Sequence, residues 1–352
     1  MKCMNCEIHV ERSFLGLGEA LSSAGLSNRL ICIVTDDNVG SLYLDEAQKS
    51  LDAFGFRHAS FAVSHGEENK NLDVVQSIYS AFIKAGMDRR SVVLTLGGGV
   101  VGDMAGFAAA TYMRGIAFAQ SPTTLLSQVD ASVGGKVGVD FMGIKNMVGA
   151  FYQPACVYIN TSALKTLPDG QFASGMAEVI KHGLILDKPY YDRIKILKER
   201  ISSQEPGAIK EIIEGSCRIK ASVVSQDEKE KGLREILNYG HTFGHAVESL
   251  SGFSLLHGHS VAIGIAAALH MSENRGYLKL QEVDDALCLL KYFKLPIKAS
   301  GFSAEDVYEQ MKLDKKSRDG KMNFVLLKGI GQAYREENAS RDEIFEAIRY
   351  IL

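Results

Sequence analysis

The first half of the chain alternates short apolar runs with longer amphipathic segments. The runs are rich in Val, Ile and Leu and predict buried strands, and the segments between them predict helices. Strands that alternate with helices form mainly parallel sheets covered on both faces, so this half predicts a Rossmann-like α/β nucleotide-binding domain. Ligands of such sheets bind outside the carboxyl ends of the strands. The predicted strands are Arg29–Thr35, Arg57–Val63, Ser91–Leu96, Ile116–Gln120 and Cys156–Asn160, and the predicted helices are Leu44–Phe54 and Leu72–Ala85.

Helical periodicity dominates the chain from about Thr166 onward. We therefore predict two domains, an α/β domain over residues 1–166 and an α-helical C-terminal domain over residues 167–352, with the functional site in the cleft between them. Pro168 marks a candidate hinge. The predicted helices are Phe172–Leu186, Tyr190–Ser202, Ala208–Gln226, Gly244–Leu250, Ser260–Arg275, Glu282–Phe293 and Arg341–Ile351, with a hairpin within residues 321–335.

Composition and charge narrow the class of protein. A formal net charge of −3 over 352 residues argues against a general nucleic-acid binder. No apolar run reaches the roughly 18 residues that a membrane span needs. The first twelve residues lack the apolar core of a signal peptide, so we expect a cytoplasmic protein. Most cysteines are isolated in apolar segments, as reduced buried thiols are, and we interpret the C-x-x-C of Cys3 and Cys6 as incidental in a mobile terminus.

A glycine-rich turn follows the third predicted strand. The stretch from Gly97 to Gly102 (GGGVVG) matches G-x-G-x-x-G and precedes a helix predicted to open at Asp103. Glycines in this context let backbone N–H groups approach a pyrophosphate at a helix N-terminus. The region about 20 residues further on has no acid to hold a ribose, so another residue would be needed. The candidates are the residues from Asp36 to Asn38, at the end of the first predicted strand, and Glu67 or Lys70. A plain tight turn is the alternative interpretation of the glycines.

Charged residues accumulate near the predicted strand ends and in Gly-rich, otherwise apolar stretches. The segment from Asp130 to Lys136 resembles a phosphate loop but lacks the spacing of a Walker A motif, so ATP is not expected. A single lysine is more often a solvated surface charge, whereas several within such stretches favour an anionic ligand. The residues concerned are Arg114, Asp130, Lys136, Lys145, Lys181 and Lys220.

Four of the nine histidines fall within residues 233–260, namely His241, His245, His257 and His259. The first two are four positions apart and would project from one face of a helix, and the third precedes a second apolar helix. Imidazoles from two elements are half of a zinc site, which Glu178 on an upstream helix could complete. A solvated polar stripe is the alternative. Arg234 and Asn238 favour a site, because they add a cation and an amide as an anionic substrate would require.

Six ordered motifs resemble those of the 3-dehydroquinate synthase family. They are GGGVVGDMAGFAAATYMRG, SPTTLLSQVDASVGGKVGVD, KNMVGAFYQP, GMAEVIKHG, LREILNYGHTFGHAVE and LLHG. The resemblance runs from Asp36 to Gly331, essentially the whole chain. It implies a lyase that forms 3-dehydroquinate and phosphate from 3-deoxy-D-arabino-heptulosonate 7-phosphate, in the shikimate pathway of aromatic amino acid biosynthesis.

The resemblance also implies a role for each matching residue. The divalent metal, zinc or cobalt, would be held by Glu178, His241 and His257. NAD would contact His65, Gly66, Glu67, Glu68, Asn69, Lys70, Gly99, Val100, Val101, Gly102, Asp103, Thr123, Thr124, Lys136, Lys145, Ala163, Leu164, Lys165 and Thr166, with Asp36 and Asn38 as further candidates. The substrate pocket would contain Asp130, Lys136, Asn146, Lys181, Lys220, Arg234, Asn238 and His245, together with Lys315 or Lys316.

Within that pocket the resemblance assigns the substrate carboxylate to Lys220 and Arg234. It assigns the phosphate to Lys136, Asn146, Asn238, His245 and one of the two lysines at 315 and 316. Arg114 matches an arginine lent across a dimer interface, which implies an obligatory homodimer. Neither nucleic acid nor membrane is expected as a partner.

The implied reaction uses NAD without consuming it: oxidation, phosphate elimination, reduction, ring opening and aldol closure follow one another. Another sugar-phosphate cyclase or a metal-dependent polyol dehydrogenase is the alternative enzyme, and a non-catalytic binding module is the alternative from a different class. The sequence departs from the family pattern at His259, where an acid is usual, and at Asp140, where Asn is common. Loss of an acid beside His257 puts metal affinity or preference in doubt more than the reaction.

Overall fold

The computed structural model describes residues 1–4, 6–315 and 322–352, without the side chains of residues 314 and 315. The chain divides into two compact units. The first contains Met1–Leu167 and Ile209–Ser225, and the second contains Pro168–Ala208 and Gln226–Leu352. Residues 209–225 lie within the predicted second domain but belong to the first unit. Among the described residues, no helix combines the length and apolarity that crossing a bilayer requires.

The first unit is built on a seven-stranded sheet in the order β1-β2-β9-β6-β5-β3-β4. Every pairing in this sheet is parallel except that of β1 with β2. The strands are β1 Lys2–Cys3, β2 Cys6–Glu11, β3 Leu30–Asp36, β4 Arg57–Val63, β5 Val92–Gly97, β6 Ala117–Pro122 and β9 Cys156–Asn160, with β7 Lys136–Phe141 and β8 Ile144–Phe151 forming a separate hairpin. Its helices are α1 Leu17–Ser23, α2 Asp37–Ala53, α3 Leu72–Lys84, α4 Gly99–Thr111 and most of α7 Pro206–Gln226.

Helices cover both faces of the sheet because its central strands are apolar over most of their length. Along β3, Cys32 and Val34 enter one hydrophobic cluster, whereas Ile31 and Ile33 enter the other. Side chains alternate across a strand, so a continuous apolar run fills the core on both sides. The expectation of a doubly covered parallel sheet is therefore confirmed.

Two predictions about the N-terminal half were wrong. The N-terminal residues, predicted to be mobile, belong to the sheet: β2 pairs in parallel with β9, and Cys3 and Cys6 are both buried. Cys3 of β1 and Cys6 of β2 are register partners. The glycine-rich helix does not open at Asp103. It begins four residues earlier, at Gly99, and Gly98 is its N-cap.

The second unit is mainly helical, as predicted. Its helices are α5 Asp169–Leu186, α6 Lys188–Ser202, α8 His241–Leu250, α9 His257–Asn274, α10 Leu280–Tyr292, α11 Ala304–Lys315 and α12 Arg341–Ile351, joined by the hairpin of β10 Phe324–Leu327 and β11 Ala333–Glu336. The helices predicted to start at Gly244 and Ser260 both start three residues earlier. As a result, His241 and His257 are the first residues of α8 and α9.

Candidate metal and substrate site

Glycines bring α8 and α9 into close contact. A Cβ added to Gly264 would lie 1.8 Å from the carbonyl oxygen of Gly240, and one added to Gly244 would lie 2.7 Å from that of Ser260. Gly240 itself has φ 79°, the left-handed conformation that caps the start of α8. No larger residue fits at these contacts without moving one helix away from the other. This packing sets the first residues of the two helices near each other.

Helix α5 approaches the start of α9 in the same way. A Cβ at Gly258 would lie 1.9 Å from the carbonyl oxygen of Ser174, and the Gly258 N–H donates to Ser174 Oγ over 2.9 Å. Ser174 lies one helical turn before Glu178, so Glu178 is held beside the start of α9. The carboxylate of Glu178 has no exposed surface.

Glu178, His241 and His257 converge on one point. The Nε2 atoms of His241 and His257 lie 3.8 and 3.7 Å from Glu178 Oε1. Ligand atoms that surround one tetrahedral zinc ion lie about 3.4 Å apart, so these three atoms are near the spacing that an ion would impose. The trio is one of the groups of side chains in the described part of the chain that could hold a metal.

The other nitrogen of each imidazole already has an acceptor. His241 Nδ1 lies 3.1 Å from the carbonyl oxygen of Tyr239, and His257 Nδ1 lies 3.3 Å from Glu248 Oε2. An acceptor at Nδ1 places the proton there and leaves the lone pair of Nε2 for a metal. Burial and the charge of Lys181 hold the pKa of His241 well below its usual range, so this ring is neutral, as a ligand must be.

Lys181 is a cation in direct contact with the trio. It follows Glu178 by three residues on α5, and its buried ammonium group forms an ion pair with Glu178 Oε2. His245 lies on the other side, with its ring centre 5.1 Å from that of His241 and 5.9 Å from that of His257. The structure thus brings Lys181 and His245 to the predicted metal ligands.

Arg234 and Asn238 lie in the 3-10 turn Leu233–Asn238 of the same unit. Arg234 is 2% exposed, and its guanidinium donates to the Glu228 carbonyl oxygen over 2.5 Å. Asn238 Nδ2 donates to Glu230 Oε1 over 2.8 Å. Lys315 ends α11, with its side chain outside the description, and Lys316 lies outside the described residues, so the choice between them stays open.

In the first unit the glycine turn forms the N-terminus of α4. The crevice beside it is lined by Thr95, Gly98, Asp103, Gln120 and Ser132, among others. A Cβ at Gly97 would lie 2.7 Å from Val101 Cβ, so the loop can present only backbone to a ligand. The N–H groups of the first helical turn point outward here, which is the geometry that binds a phosphate.

Lys70, a predicted NAD residue, forms hydrogen bonds both with another predicted NAD residue and with a predicted substrate residue. Its ammonium group donates to Asp103 Oδ2 over 2.6 Å and to Asn146 Oδ1 over 2.7 Å. Asn146 has φ 53°, and its backbone N–H donates to Asp140 Oδ1 over 2.7 Å. An asparagine at position 140 would offer the same oxygen, so the departure from the family pattern preserves this contact.

Lys220 and Asp130 form a second ion pair of the first unit. Lys220 Nζ lies 2.7 Å from Asp130 Oδ1 and donates to the Asp130 carbonyl oxygen over 2.6 Å. Lys220 reaches Asp130 because residues 209–225 of α7 belong to this unit. Lys136 opens β7, next to Gly135 in the loop that follows Asp130.

The remaining predicted NAD residues lie in loops after the strands of the same sheet. Asp36 caps α2 by accepting from the Val39 N–H over 2.7 Å, and Asn38 lies in the first turn of that helix. Glu67, Glu68 and Asn69 form a 3-10 turn between Gly66 and Lys70, and Lys145 Nζ lies 3.8 Å from Glu67 Oε1. Thr123 and Thr124 follow β6, and residues 163–166, which comprise Ala163, Leu164, Lys165 and Thr166, lie in the 3-10 turn after β9.

Sequence reasoning missed three contributors: Glu248 and the Tyr239 carbonyl oxygen at the imidazoles, and Glu230 at Asn238. Asp37, within the predicted stretch from Asp36 to Asn38, has its Oδ1 2.7 Å from His65 Nδ1. For one of the three missed contributors, Glu248, the sequence contains a pattern that could have identified it. Glu248 follows His245 by three residues and His241 by seven, which places it on the same helix face. The carbonyl oxygen of Tyr239 could not be identified from the sequence, because a backbone contact does not depend on the type of side chain.

Comparisons with known proteins agree with this assembly. The family models described as 3-dehydroquinate synthase N-terminal and 3-dehydroquinate synthase C-terminal match residues 60–174 and 175–317. The chain is 46% identical to 3-dehydroquinate synthase of Ruminiclostridium cellulolyticum over 93% of this chain and 91% of that protein. It is 44% identical to 3-dehydroquinate synthase of Acetivibrio thermocellus over 92% of this chain and 90% of that protein.

Solved structures share the whole fold. The 2-epi-5-epi-valiolone synthase of Streptomyces hygroscopicus, with NAD+ and Zn2+ bound, has a TM-score of 0.91 at 26% identity and covers 100% of this chain and 98% of its own. A 2-deoxy-scyllo-inosose synthase with carbaglucose-6-phosphate, NAD+ and Co2+ has a TM-score of 0.87 at 25% identity and covers 98% and 96%. The fold is that of the sugar-phosphate cyclases. Within that class, the chain belongs to the 3-dehydroquinate synthase family.

Proposed function

We propose that this chain converts 3-deoxy-D-arabino-heptulosonate 7-phosphate into 3-dehydroquinate and phosphate with one divalent ion and NAD. The observation that carries the proposal is the convergence of two imidazole Nε2 atoms on Glu178 Oε1, at 3.8 and 3.7 Å. The related cyclases described above were solved with Zn2+ or Co2+ and with NAD+. The lyase activity and both cofactors are therefore proposed for this chain.

The donor set of the trio fits zinc or cobalt. One carboxylate and two imidazoles leave a coordination position open, as catalytic sites of these metals do. When bound, the ion would polarise the substrate hydroxyl groups and stabilise a developing alkoxide. Lys181 places a positive charge beside the buried carboxylate of Glu178 and so compensates part of the cost of burying that carboxylate.

The N-terminus of α4 fits the pyrophosphate of NAD. The turn offers backbone N–H groups at a helix end and has no side chain at Gly98 or Gly99 to exclude a phosphate. When bound, NAD would accept a hydride and later return it. The Lys70–Asp103 pair ties Lys70 to the second turn of α4, and the same ammonium group holds Asn146 through its Oδ1. The amide nitrogen of Asn146 is then the group that would donate to a substrate phosphate.

The substrate has two anionic groups, and the chain offers cations for both. Lys220 and Arg234 are nearly buried, and each is held by a carbonyl oxygen, so their position is fixed before a carboxylate arrives. Lys136, Asn146, Asn238 and His245 would contact the phosphate, and Asp130 holds Lys220 in position. Such pre-positioned cations favour this substrate over those of cyclases that act on sugar phosphates without a carboxylate.

We also propose that the active form is a homodimer that shares Arg114. Arg114 has φ 72°, next to Met113 with φ 50°, in the 3-10 turn after α4. Several large apolar side chains are exposed in this unit, including Met113 and the hairpin residues Phe141, Met142, Ile144 and Met147. An exposed apolar group of this kind is typical of a surface that another chain covers.

The test is an assay of inorganic phosphate release from the heptulosonate phosphate with catalytic NAD, with and without a chelator. We expect release that needs NAD, stops with the chelator and returns with Zn2+ or Co2+. Glu178→Ala and His241→Ala should lose metal and activity together. Inactive variants that keep a full equivalent of metal would refute the ligand assignment, and equal turnover of a sugar phosphate without the carboxylate would favour the alternative cyclase.

A further inference from the structure

Glu248 is a buried carboxylate that the reaction described above does not use. It lies on α8, two helical turns after His241, and is 3% exposed. Its Oε2 lies 3.3 Å from His257 Nδ1, whereas Nε2 of the same ring lies 3.7 Å from Glu178 Oε1. The imidazole of His257 therefore stands between two carboxylates, with one ring nitrogen facing each of them.

We propose that Glu248 is the positioning residue of His257: it accepts the Nδ1–H bond and thereby directs the Nε2 lone pair toward the ion-binding point at Glu178. This inference rests on the proposed metal site. A carboxylate behind a ligating imidazole fixes the tautomer and the ring orientation and raises the basicity of the ligand. For His241 the carbonyl oxygen of Tyr239 occupies the corresponding place, so the two ligands are held in the same manner.

The position of His257 makes such a partner necessary. It is the first residue of α9, and about a third of its side chain is exposed. A ring at a helix start, with solvent on one side, is less constrained by packing than a fully buried ring. Glu248 comes from a different helix, which is held against α9 by Gly244 and Gly264. Because the spacing of the two helices is fixed, the contact of Glu248 with His257 also fixes the orientation of the His257 ring.

The same arrangement answers the question raised by His259. The family pattern has an acid there, and its loss would matter if that acid were what oriented His257. In this chain His259 makes a hydrogen bond with the backbone of Gly170, and the carboxylate at Nδ1 of His257 is that of Glu248. The departure at position 259 therefore leaves the partner of His257 in place.

The experiment measures Co2+ binding to the full-length apoprotein by competition with a chromophoric chelator at fixed pH, together with the visible spectrum of bound Co2+. The variants are Glu248→Ala, Glu248→Gln and the control His259→Ala, each checked for an unchanged thermal midpoint without metal. We expect Glu248→Ala to weaken Co2+ binding roughly 10–100-fold and to change the spectrum. Glu248→Gln, whose amide oxygen can still accept from Nδ1, should lose less, and His259→Ala should bind as the parent chain does.

The outcomes separate this inference from the proposed function. Parent-like affinity and spectrum in Glu248→Ala, while the parent chain binds Co2+, would overturn the positioning role alone. Complete loss of binding in Glu248→Gln would also overturn it, in favour of Glu248 as a ligand. If the parent chain binds no Co2+, or if His241→Ala binds it equally well, the metal site itself fails. Should Glu248→Ala not fold, the affinity and spectrum of Glu248→Gln decide the matter.

Discussion

At the scale of single residues, the site depends on charged side chains that are buried. Glu178, Lys181 and Arg234 are all at most 2% exposed. A buried charge is costly unless a partner compensates it, and Glu178 has such partners in Lys181 and in the ion that it would bind. Sequence reasoning found these residues because buried charges in apolar helices are unusual. It could not find which ring nitrogen faces which acceptor, since that depends on rotamers.

Replacement of Arg234 should act mainly on substrate binding. Removing a charge-assisted pair with the carboxylate costs about 1.5–3 kcal/mol, so Arg234→Ala should lower kcat/KM by about 10- to 150-fold. We expect most of the loss in KM, measured by phosphate release. Arg234→Lys keeps the charge and should retain more activity. Unchanged kcat and KM in Arg234→Ala would remove Arg234 from the carboxylate site.

The pair of His65 and Asp37 predicts a pH dependence in the predicted NAD loop. The hydrogen bond to Asp37 raises the pKa of His65 above its ordinary value, and the same bond lowers the pKa of Asp37. The contribution of protonated His65 to stability is therefore full below its unfolded pKa and is lost as the pH rises through the raised folded pKa.

An NMR titration of the His65 ring checks this dependence. The midpoint should lie above the value of an unstructured histidine and should fall toward that value in Asp37→Asn. Asp52→Asn, which changes an acid that faces His58 rather than His65, is the matched control and should leave the His65 midpoint as it is in the parent chain. An identical His65 midpoint in the parent chain and in Asp37→Asn would contradict the predicted pairing.

At the scale of elements, close helix contacts at glycines set the positions of the predicted metal ligands. Both metal-site histidines begin helices, and the helices approach each other at Gly240, Gly244 and Gly264. Periodicity located α8 and α9 but began each of them three residues late, because the polar histidines interrupt the apolar pattern at the helix starts. Strand β2, which lies between β1 and β9, was missed for a similar reason: its alternation is short and includes the charged residues Glu7 and Glu11.

Gly264→Ala should separate α8 from α9. Its Cβ would lie 1.8 Å from the Gly240 carbonyl oxygen, and backbone cannot move aside cheaply. We expect the free energy of unfolding to fall by about 1–3 kcal/mol or more, with weaker Zn2+ binding because α9 carries His257. Gly170→Ala is the matched control, since its Cβ makes only an ordinary contact of 3.5 Å in α5. Chemical denaturation and zinc titration measure both effects. A Gly264→Ala protein as stable as Gly170→Ala would show that this contact can relax.

At the scale of the whole molecule, the alternation of strands and helices in the first half and the family were predictable, whereas the assignment of residues 209–225 to the first unit was not. Alternating apolar runs identify a parallel sheet, and six ordered motifs identify the family. The assignment of residues 209–225 to the first unit could not be predicted. The pattern of a long amphipathic helix does not show which unit its apolar face belongs to. Lys220 was therefore predicted in the second domain, whereas it belongs to the first unit.

Arg114 provides the test of the proposed homodimer. In a pure heterodimer of one Arg114→Ala chain and one His241→Ala chain, purified through two different tags, one of the two sites would combine intact metal ligands with an intact Arg114 from the other chain. We therefore expect about half the specific activity of the parent dimer, although each variant alone is nearly inactive.

The heterodimer of one Glu178→Ala chain and one His241→Ala chain is the control. It should stay inactive, because each chain then lacks one ligand of its own metal trio. An inactive Arg114→Ala/His241→Ala heterodimer would mean that each chain uses its own Arg114, and full activity of the Arg114→Ala homodimer would mean that the reaction does not need this arginine.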